Sequence, residues 1–131
     1  MGDLTRNFDK KDYECKDLCN SCTPDPELVE AIQALRDWLD EPIIINSACR
    51  CPKHNAETPG SDPKSSHMPG ADGFCHAADL RCPDGFYRDR LLEAIYATGR
   101  FPRKEICPTW IHVSTDTTKA ADFCNVKGTF K

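Results

Sequence analysis

Residues 65–80, SSHMPGADGFCHAADL, lead from a stretch rich in Ser, Pro and Gly into a short segment that favours a β-strand. Alternation along residues 77–81 places Ala77, Asp79 and Arg81 on one face of this predicted strand. A carboxylate in a strand of a small domain must face water or be paired, because burying it alone is costly. His67 comes earlier in the stretch, where no apolar face exists to bury it. The pattern indicates that these two side chains serve a site.

A second strand is predicted in WIHVSTD, residues 110–116, where His112 lies between the apolar Ile111 and Val113. If the two strands are neighbours, Asp79 and His112 meet on one face, and the loop before Asp79 can deliver His67 to the same point. Two histidines and one carboxylate with an open fourth position form a ligand set typical of catalytic zinc. The alternative is two exposed histidines without a common role.

Two helices are predicted from their end signals. The first begins at Asp25, an N-cap, and Pro26, which suits the first helical position, and it ends at Pro42. The second runs from Asp84 as N-cap to Gly99 as its stop.

Short strands and loops fill the rest of the chain. The β-branched run at 43–45 predicts a strand that ends before Asn46 and Ser47. Residues 48–66 form a long predicted loop, and residues 123–131 an edge strand. Helices and strands that do not alternate strictly indicate an α+β fold.

Length and charge exclude several classes of protein. The 131 residues favour one domain, 1–131, and the net charge of −4 argues against a nucleic-acid binder. No apolar run approaches the roughly 18 residues that a membrane span needs. The polar N-terminus, MGDLTRNFDKKDYECKDLC, lacks the apolar segment of a secretory signal. We therefore expect synthesis in the cytoplasm without export by that route, unless the chain is a mature fragment.

Three separated segments resemble the zinc D-Ala-D-Ala carboxypeptidase family of bacterial and phage peptidoglycan peptidases: SACRCPKHN (47–55), SSHMPGADGFCHAADL (65–80) and WIHVSTD (110–116). The family signature, Ser-x-His-x-x-Gly-x-Ala-x-Asp followed later by x-His-Val, is matched in order by Ser65, His67, Gly70, Ala77, Asp79 and His112-Val113. NFDKKDYEC (7–15) and residues 28–55 also resemble small single-domain members of phage and prophage origin. The resemblance implies a hedgehog/DD-peptidase-like α+β fold, a small antiparallel sheet flanked by helices with zinc in a cleft.

The resemblance also implies roles for individual residues. Zinc would be the cofactor, with His67, Asp79 and His112 as its ligands. Arg50 matches the Arg of the family's Ser-x-x-Arg segment and would bind a substrate carboxylate or peptide carbonyl, because its planar fork reads a carboxylate bidentately. Ser65 would hydrogen-bond substrate near the metal. The alternatives are an exposed loop arginine and a serine that stabilises its own turn.

The chain departs from the family pattern in the step between its first two ligands. His67 and Asp79 are twelve residues apart instead of the usual seven, which implies an inserted loop of five residues around 71–75. The insertion brings in Cys75 and His76 as alternative ligands.

A second departure concerns the general base. Thr109 stands three residues before His112, where several branches carry an acid, and Ser114 stands where many small members carry Asp. Since threonine cannot take a proton near pH 7, Glu105 or Asp116 would have to serve as the catalytic base. The alternative is that both are solvated surface acids.

Nine cysteines are an odd number that cannot pair completely within the chain. Without a secretory signal, thiols or metal thiolates are the first interpretation. Short spacings allow a second, structural zinc, whereas Cys75 and Cys82 could form a disulfide across the Asp79 strand. Small buried thiols are a third possibility. The cysteines at short spacings, which could hold such a zinc, are Cys15, Cys19, Cys22, Cys49 and Cys51. We favour free or disulfide-bonded cysteines over a second metal.

We therefore expect a monomeric zinc metallopeptidase that cleaves peptide bonds in peptidoglycan stem peptides, as a carboxypeptidase or an endopeptidase. A phage or prophage source would fit an endolysin-like or tail-associated role at the cell wall. The rival interpretation is a hedgehog-like zinc module that binds a cell-wall peptide or a protein without cleaving it. A cysteine-stabilised interaction domain without catalytic metal is a third.

Overall fold

The structure, a computed structural model, describes residues 4–14, 23–50, 56, 67–69, 72–116 and 122–124. Its helices are α1 (Lys10–Tyr13), α2 (Pro26–Leu39) and α3 (Gly85–Thr98). Its strands are β1 (Thr23–Pro24), β2 (Ile45–Ser47), β3 (Phe74–Cys75), β4 (Ala77–Arg81), β5 (Arg103–Ile106), β6 (Trp110–Ser114) and β7 (Asp122–Cys124).

Five of these strands form one sheet in the order β2-β4-β6-β5-β7. The pairs β2–β4, β4–β6 and β6–β5 are antiparallel, whereas β7 joins β5 in parallel. The short strands β1 and β3 pair in parallel outside this sheet. The predicted α+β class, a small and largely antiparallel sheet with helices against it, is confirmed.

The sheet has one core face and one polar face. Ala78 and Leu80 of β4 and Ile111 and Val113 of β6 are completely buried in the same apolar cluster as α2 and α3. Because side chains alternate along a strand, the residues between these four point away from the helices. The helices supply most of the remaining core through Leu28, Val29, Ala31, Ile32, Leu35, Leu39, Leu91, Ala94 and Ile95.

Both predicted helices begin where their caps indicate. The Asp25 side chain accepts a hydrogen bond from the Glu27 N–H at 3.2 Å, and the Asp84 side chain accepts one from the Tyr87 N–H at 2.8 Å. At the end of α3, Gly99 has φ 62° and its N–H bonds the Ile95 carbonyl at 3.1 Å. Glycine adopts this left-handed backbone without the steric cost that a Cβ brings.

The segment between α2 and β2 differs from its prediction. Helix α2 ends at Leu39, where Asp40 takes a left-handed conformation, so it stops before Pro42. The strand is Ile45–Ser47 instead of 43–45. Pairing with β4 determines these bounds, since Ile45 is opposite Leu80 and Ser47 is opposite Asp79. The β-branched run was therefore a poor guide to the residues that pair.

The two ends of the chain add elements of their own. Phe8 and Tyr13 are buried in the core beside α1, which the sequence analysis did not predict. At the other end, β7 covers Asp122–Cys124, and the rest of the predicted edge strand lies outside the described residues. Among the described residues, no helix has the length and apolar character needed to cross a membrane.

Replacing Asp84 with Ala should lower the free energy of unfolding by about 1 kcal/mol, because the Tyr87 N–H at the start of α3 loses its acceptor. Urea denaturation measures the change. Asp89→Ala, an exposed position inside the same helix, is the matched control and should change stability by less than about 0.5 kcal/mol. Equal losses in both variants would contradict the capping role.

Candidate metal centre

A row of polar residues crosses the polar face of the sheet. Strand register places Ser47 of β2 opposite Asp79 of β4, Asp79 opposite His112 of β6, and His112 opposite Glu105 of β5. Residues that are directly opposite on neighbouring antiparallel strands lie on the same face with Cβ atoms about 5 Å apart. The sheet therefore gathers two carboxylates and an imidazole into one line, and Ser47 pairs with Asp79 beside a shift in the register of β2 with β4.

His67 joins this row from the loop that precedes β3. Its Nε2 lies 3.2 Å from Asp79 Oδ1, and His112 Nδ1 lies 2.9 Å from the same oxygen. The two imidazole rings meet edge to face, with centroids 5.0 Å apart. Both are buried, at 1% and 8% exposure, which excludes the alternative of two exposed histidines. One ligand atom from each of the three residues lies within 4.8 Å of the others, so the group could hold a metal ion.

The orientation of His67 fits metal binding. Its Nδ1 lies 2.6 Å from the Ala48 carbonyl, which can only accept a hydrogen bond, so Nδ1 carries the proton. A neutral imidazole then presents the lone pair of Nε2 to the Asp79 oxygen. Two acceptors in contact repel each other unless a cation or a proton lies between them. A metal ion would remove this conflict.

The spacing of the donor atoms also suits zinc. A tetrahedral zinc with bonds of about 2.0–2.1 Å has ligand atoms about 3.3 Å apart, close to the 3.2 and 2.9 Å measured from Asp79 Oδ1. Nε2 of His112 is buried without a hydrogen-bond partner in the part of the chain that the structure describes. The cluster is therefore incomplete as a purely hydrogen-bonded group.

The protonation states of two of the residues are those that a metal requires. Burial disfavours the charged form of His67 and, with the neighbouring positive charge of Arg50, lowers its pKa. Burial opposes ionisation of Asp79, but the hydrogen bond with His112 outweighs it and holds the carboxyl pKa well below its usual range. Near neutral pH, His67 is neutral and Asp79 is ionised, so metal need not displace protons from them.

Arg50 lies beside this cluster. Its backbone N–H donates to the His67 carbonyl at 2.8 Å, and the residue is 8% exposed. It is therefore not the exposed loop arginine of the alternative interpretation. A cation next to the His67 ring is placed to meet an anionic or carbonyl group at the centre. Its binding of substrate stays a prediction.

The remaining predicted site residues differ in how far the structure places them. Glu105 is half-buried in the row directly across from His112, and its Oε1 accepts a weak hydrogen bond from Cys107 Sγ at 3.8 Å. Asp116 follows the end of β6, where its N–H bonds Ser114 Oγ at 3.0 Å. Ser65 lies outside the described residues. The structure thus brings Glu105 into the row and leaves Asp116 beyond the strand.

The inserted loop does not supply a replacement ligand. His76 lies between two carboxylates, with Nδ1 3.0 Å from Asp25 and Nε2 2.8 Å from Asp72. Its Nδ1 is also 3.2 Å from Thr115 Oγ1. Cys75 forms a disulfide with Cys49. Both alternative ligands are therefore engaged elsewhere, and His76 ties the insertion to the start of α2.

The disulfide corrects the expected cysteine chemistry. Cys75 pairs with Cys49 instead of Cys82, so Cys49 is not available as a thiolate for a second zinc. Cys82 and Cys107 are both buried, and burial raises the pKa of the Cys82 thiol to about 11, as expected for a small apolar side chain. The side chains of the other five cysteines, Cys15, Cys19, Cys22, Cys51 and Cys124, lie outside the described part of the chain.

Two features of the centre were not predicted from the sequence pattern. The Ala48 carbonyl orients His67, but a backbone oxygen has no residue type that a pattern could reveal. Ser47 was assigned to the exit of a strand, whereas it pairs with Asp79 inside β2. Only knowledge of which strands pair could have identified it.

Comparison with known proteins gives one family. A family model described as Peptidase M15 matches residues 4–114, which include the row, His67 and Arg50. A search of curated proteins found no match.

His67→Ala and His112→Ala should each abolish binding of one equivalent of zinc, because two remaining ligands do not complete the set. Elemental analysis after dialysis against zinc measures the metal content. His76→Ala is the matched control: it removes a histidine that is bonded to other carboxylates, and zinc should remain. Retention in the first two variants, or loss only in the third, would contradict the assignment.

The free energy of unfolding of the double variant Cys49→Ser/Cys75→Ser should be roughly 3 kcal/mol lower than that of the oxidised protein, because the disulfide links cysteines 26 residues apart in the sequence. Urea denaturation measures the difference, which should vanish when both proteins are reduced. A difference that persists under reducing conditions would attribute the loss to the serines and not to the cross-link.

Proposed function

The chain belongs to the peptidase M15 family, a family of zinc peptidases, and from this we propose that it hydrolyses peptide bonds in peptidoglycan stem peptides as a carboxypeptidase or an endopeptidase. The observation that carries the proposal is the convergence of His67 and His112 on one oxygen of Asp79, with Glu105 next in the row. A ligand set flanked by an unbound carboxylate is the arrangement that metal-assisted hydrolysis requires.

In this proposal, Nε2 of His67, Asp79 Oδ1 and His112 hold zinc. When bound, zinc supplies Lewis acidity that acidifies a water molecule and polarises the scissile carbonyl. The Ala48 carbonyl keeps His67 in the tautomer whose Nε2 carries the lone pair that a metal ligand needs. The rigid β4–β6 pair sets the distance between Asp79 and His112.

Glu105 is the proposed general base. Because it lies opposite His112 on the same sheet face, its carboxylate is next to the position where water would attack. It would take the proton of the attacking water and return it to the leaving amine. Thr109 cannot do this, and its carbonyl accepts the Cys82 N–H at 2.7 Å in the turn before β6.

Substrate contacts are proposed for Arg50 and Ser65. The Arg50 guanidinium would bind a carboxylate or peptide carbonyl of the stem peptide, because its charge lies beside His67. Ser65 is two residues before His67 in the sequence and would donate a hydrogen bond to the same substrate. Both groups would orient the scissile bond toward the ligands.

We extend the proposal to the setting of the reaction. We propose action as a monomer, because His67, Asp79 and His112 of a single chain already come together as a ligand group. Cleavage of stem peptides places the enzyme at the bacterial cell wall. The resemblance to small phage and prophage members supports a lytic or tail-associated role.

The rival function, a zinc module that binds a cell-wall peptide without cleaving it, is favoured by Thr109 and Ser114 at positions where relatives carry acids. Release of new amino groups from purified peptidoglycan distinguishes the two functions. Release that a chelator abolishes and zinc restores supports the peptidase. No release between pH 6 and 9 would favour the binding module.

Glu105→Gln should lower kcat by roughly 10²- to 10⁴-fold, because the amide cannot accept the proton of the attacking water. Zinc content should stay at the wild-type level, since Glu105 is not in the ligand cluster. Amino-group release from peptidoglycan measures the rate, and elemental analysis measures the zinc.

Asp116→Asn is the matched control for this substitution and should retain activity, because Asp116 lies beyond the end of β6. Full activity of Glu105→Gln with a loss in Asp116→Asn would transfer the role of base to Asp116. Full activity in both would show that neither acid is the base.

A further inference from the structure

A second feature of the polar face lies one residue pair beyond the metal ligands. Asp79 and Arg81 are two residues apart on β4, so they share a face. Arg81 is opposite Trp110 in the same register that places Asp79 opposite His112. Two residues along a strand span about 7 Å, which is also the length of two residues of an extended peptide.

The Arg81 side chain is exposed, and none of the described residues pairs with it. Arg6, Arg36, Arg90 and Arg100 all form ion pairs with carboxylates. In contrast, the described part of the chain offers no hydrogen-bond or ion-pair partner to the Arg81 guanidinium, whose backbone N–H alone is engaged, with the Ile44 carbonyl at 2.9 Å. Its fork is therefore available to a ligand.

Arg81 is the last residue of β4, and there it lines a pocket that α3 also borders through Tyr87. The other walls are apolar: Pro42, Ile44 and Pro83. Ile44 is 52% exposed although it is a large aliphatic side chain. The Tyr87 hydroxyl donates to the Pro42 carbonyl at 2.7 Å, which holds one wall to the other. The pocket is thus formed before any ligand enters.

The acids around this pocket are already engaged. Glu41 pairs with Arg90, and Asp84 caps α3 through the Tyr87 N–H. In the described part of the chain, neither of these carboxylates forms an ion pair with Arg81. A pocket with apolar walls and one cation suits a side chain that has an aliphatic stem and a carboxylate.

We propose that Arg81 and the pocket of Pro42, Ile44, Pro83 and Tyr87 form a subsite for a carboxylate-bearing residue of the peptide substrate, two positions from the bond at the metal centre. This inference rests on the proposed function, because it takes the ligand to be the peptide that is cleaved. A peptide extended along β4 would place its reacting bond at Asp79 and its acidic residue at Arg81.

The test uses the full-length, zinc-loaded chain and short peptides that end in D-Ala-D-Ala, with the reacting amide reduced to an uncleavable amine. A carboxylate is placed one, two or three residues from that bond, and each peptide has a carboxamide twin. Calorimetry measures Kd for each peptide and its twin. The peptide with its carboxylate two residues from the reduced bond should bind about 10- to 100-fold more tightly than its carboxamide twin, and the other two positions should show a smaller difference. Arg81→Gln should remove this preference while Kd for the carboxamide twin stays unchanged.

Arg100→Gln is the matched control, because it removes an arginine that pairs with Glu27 away from the pocket, and it should keep the preference. No preference for carboxylate in the wild type, or the same preference in Arg81→Gln, would overturn the subsite. The cleavable peptides test the function separately. If the subsite binds carboxylate but no peptide is hydrolysed between pH 6 and 9, the proposed hydrolysis fails and the subsite stands.

Discussion

The contact of two imidazoles with one oxygen of Asp79 is the constraint on which the rest of the site depends. A lone carboxylate at this depth would be costly, and a neutral His67 does not relieve it, because the ring donates its one N–H, at Nδ1, to the Ala48 carbonyl. The arrangement makes physical sense when a cation joins the three groups. The sheet, the inserted loop and the arginine beside them can all be understood as supports for that junction.

Much of this centre follows from the sequence because strands have a simple period. Each of the two strands has a polar residue between apolar neighbours: His112 between Ile111 and Val113, and Asp79 between Ala78 and Leu80. Such a residue points away from the core that its neighbours enter. Alternation then predicts a common face without knowledge of the fold. The helix caps at Asp25 and Asp84 are similarly local, so they too could be predicted. The family signature supports the same assignment of His112 and Asp79 as candidate metal ligands.

Features that depend on distant partners could not be predicted in this way. The bounds of β2 depend on its pairing with β4, and the disulfide joins Cys49 to Cys75 of β3, 26 residues away in the sequence. A sequence contains the cysteines but not the distances between them, which is why Cys82 was a plausible partner for Cys75. His76 is another example: its carboxylate partners come from α2 and from its own loop. It resembles a metal ligand in sequence but functions as a structural link.

If Glu105 is the base, as proposed, its position on β5 shows how a sheet can bring a catalytic group from a different segment of the chain. A base three residues before His112 and a base opposite His112 on β5 come from different parts of the sequence, and the register of β5 places Glu105 directly across from that histidine. Cross-strand neighbours are only about 5 Å apart at Cβ, within the reach of a glutamate side chain. On the proposed assignment, loss of an acid at Thr109 therefore does not imply loss of catalysis. What must be kept is a carboxylate near the water and outside the ligand set, and the register of β5 with β6 satisfies that condition.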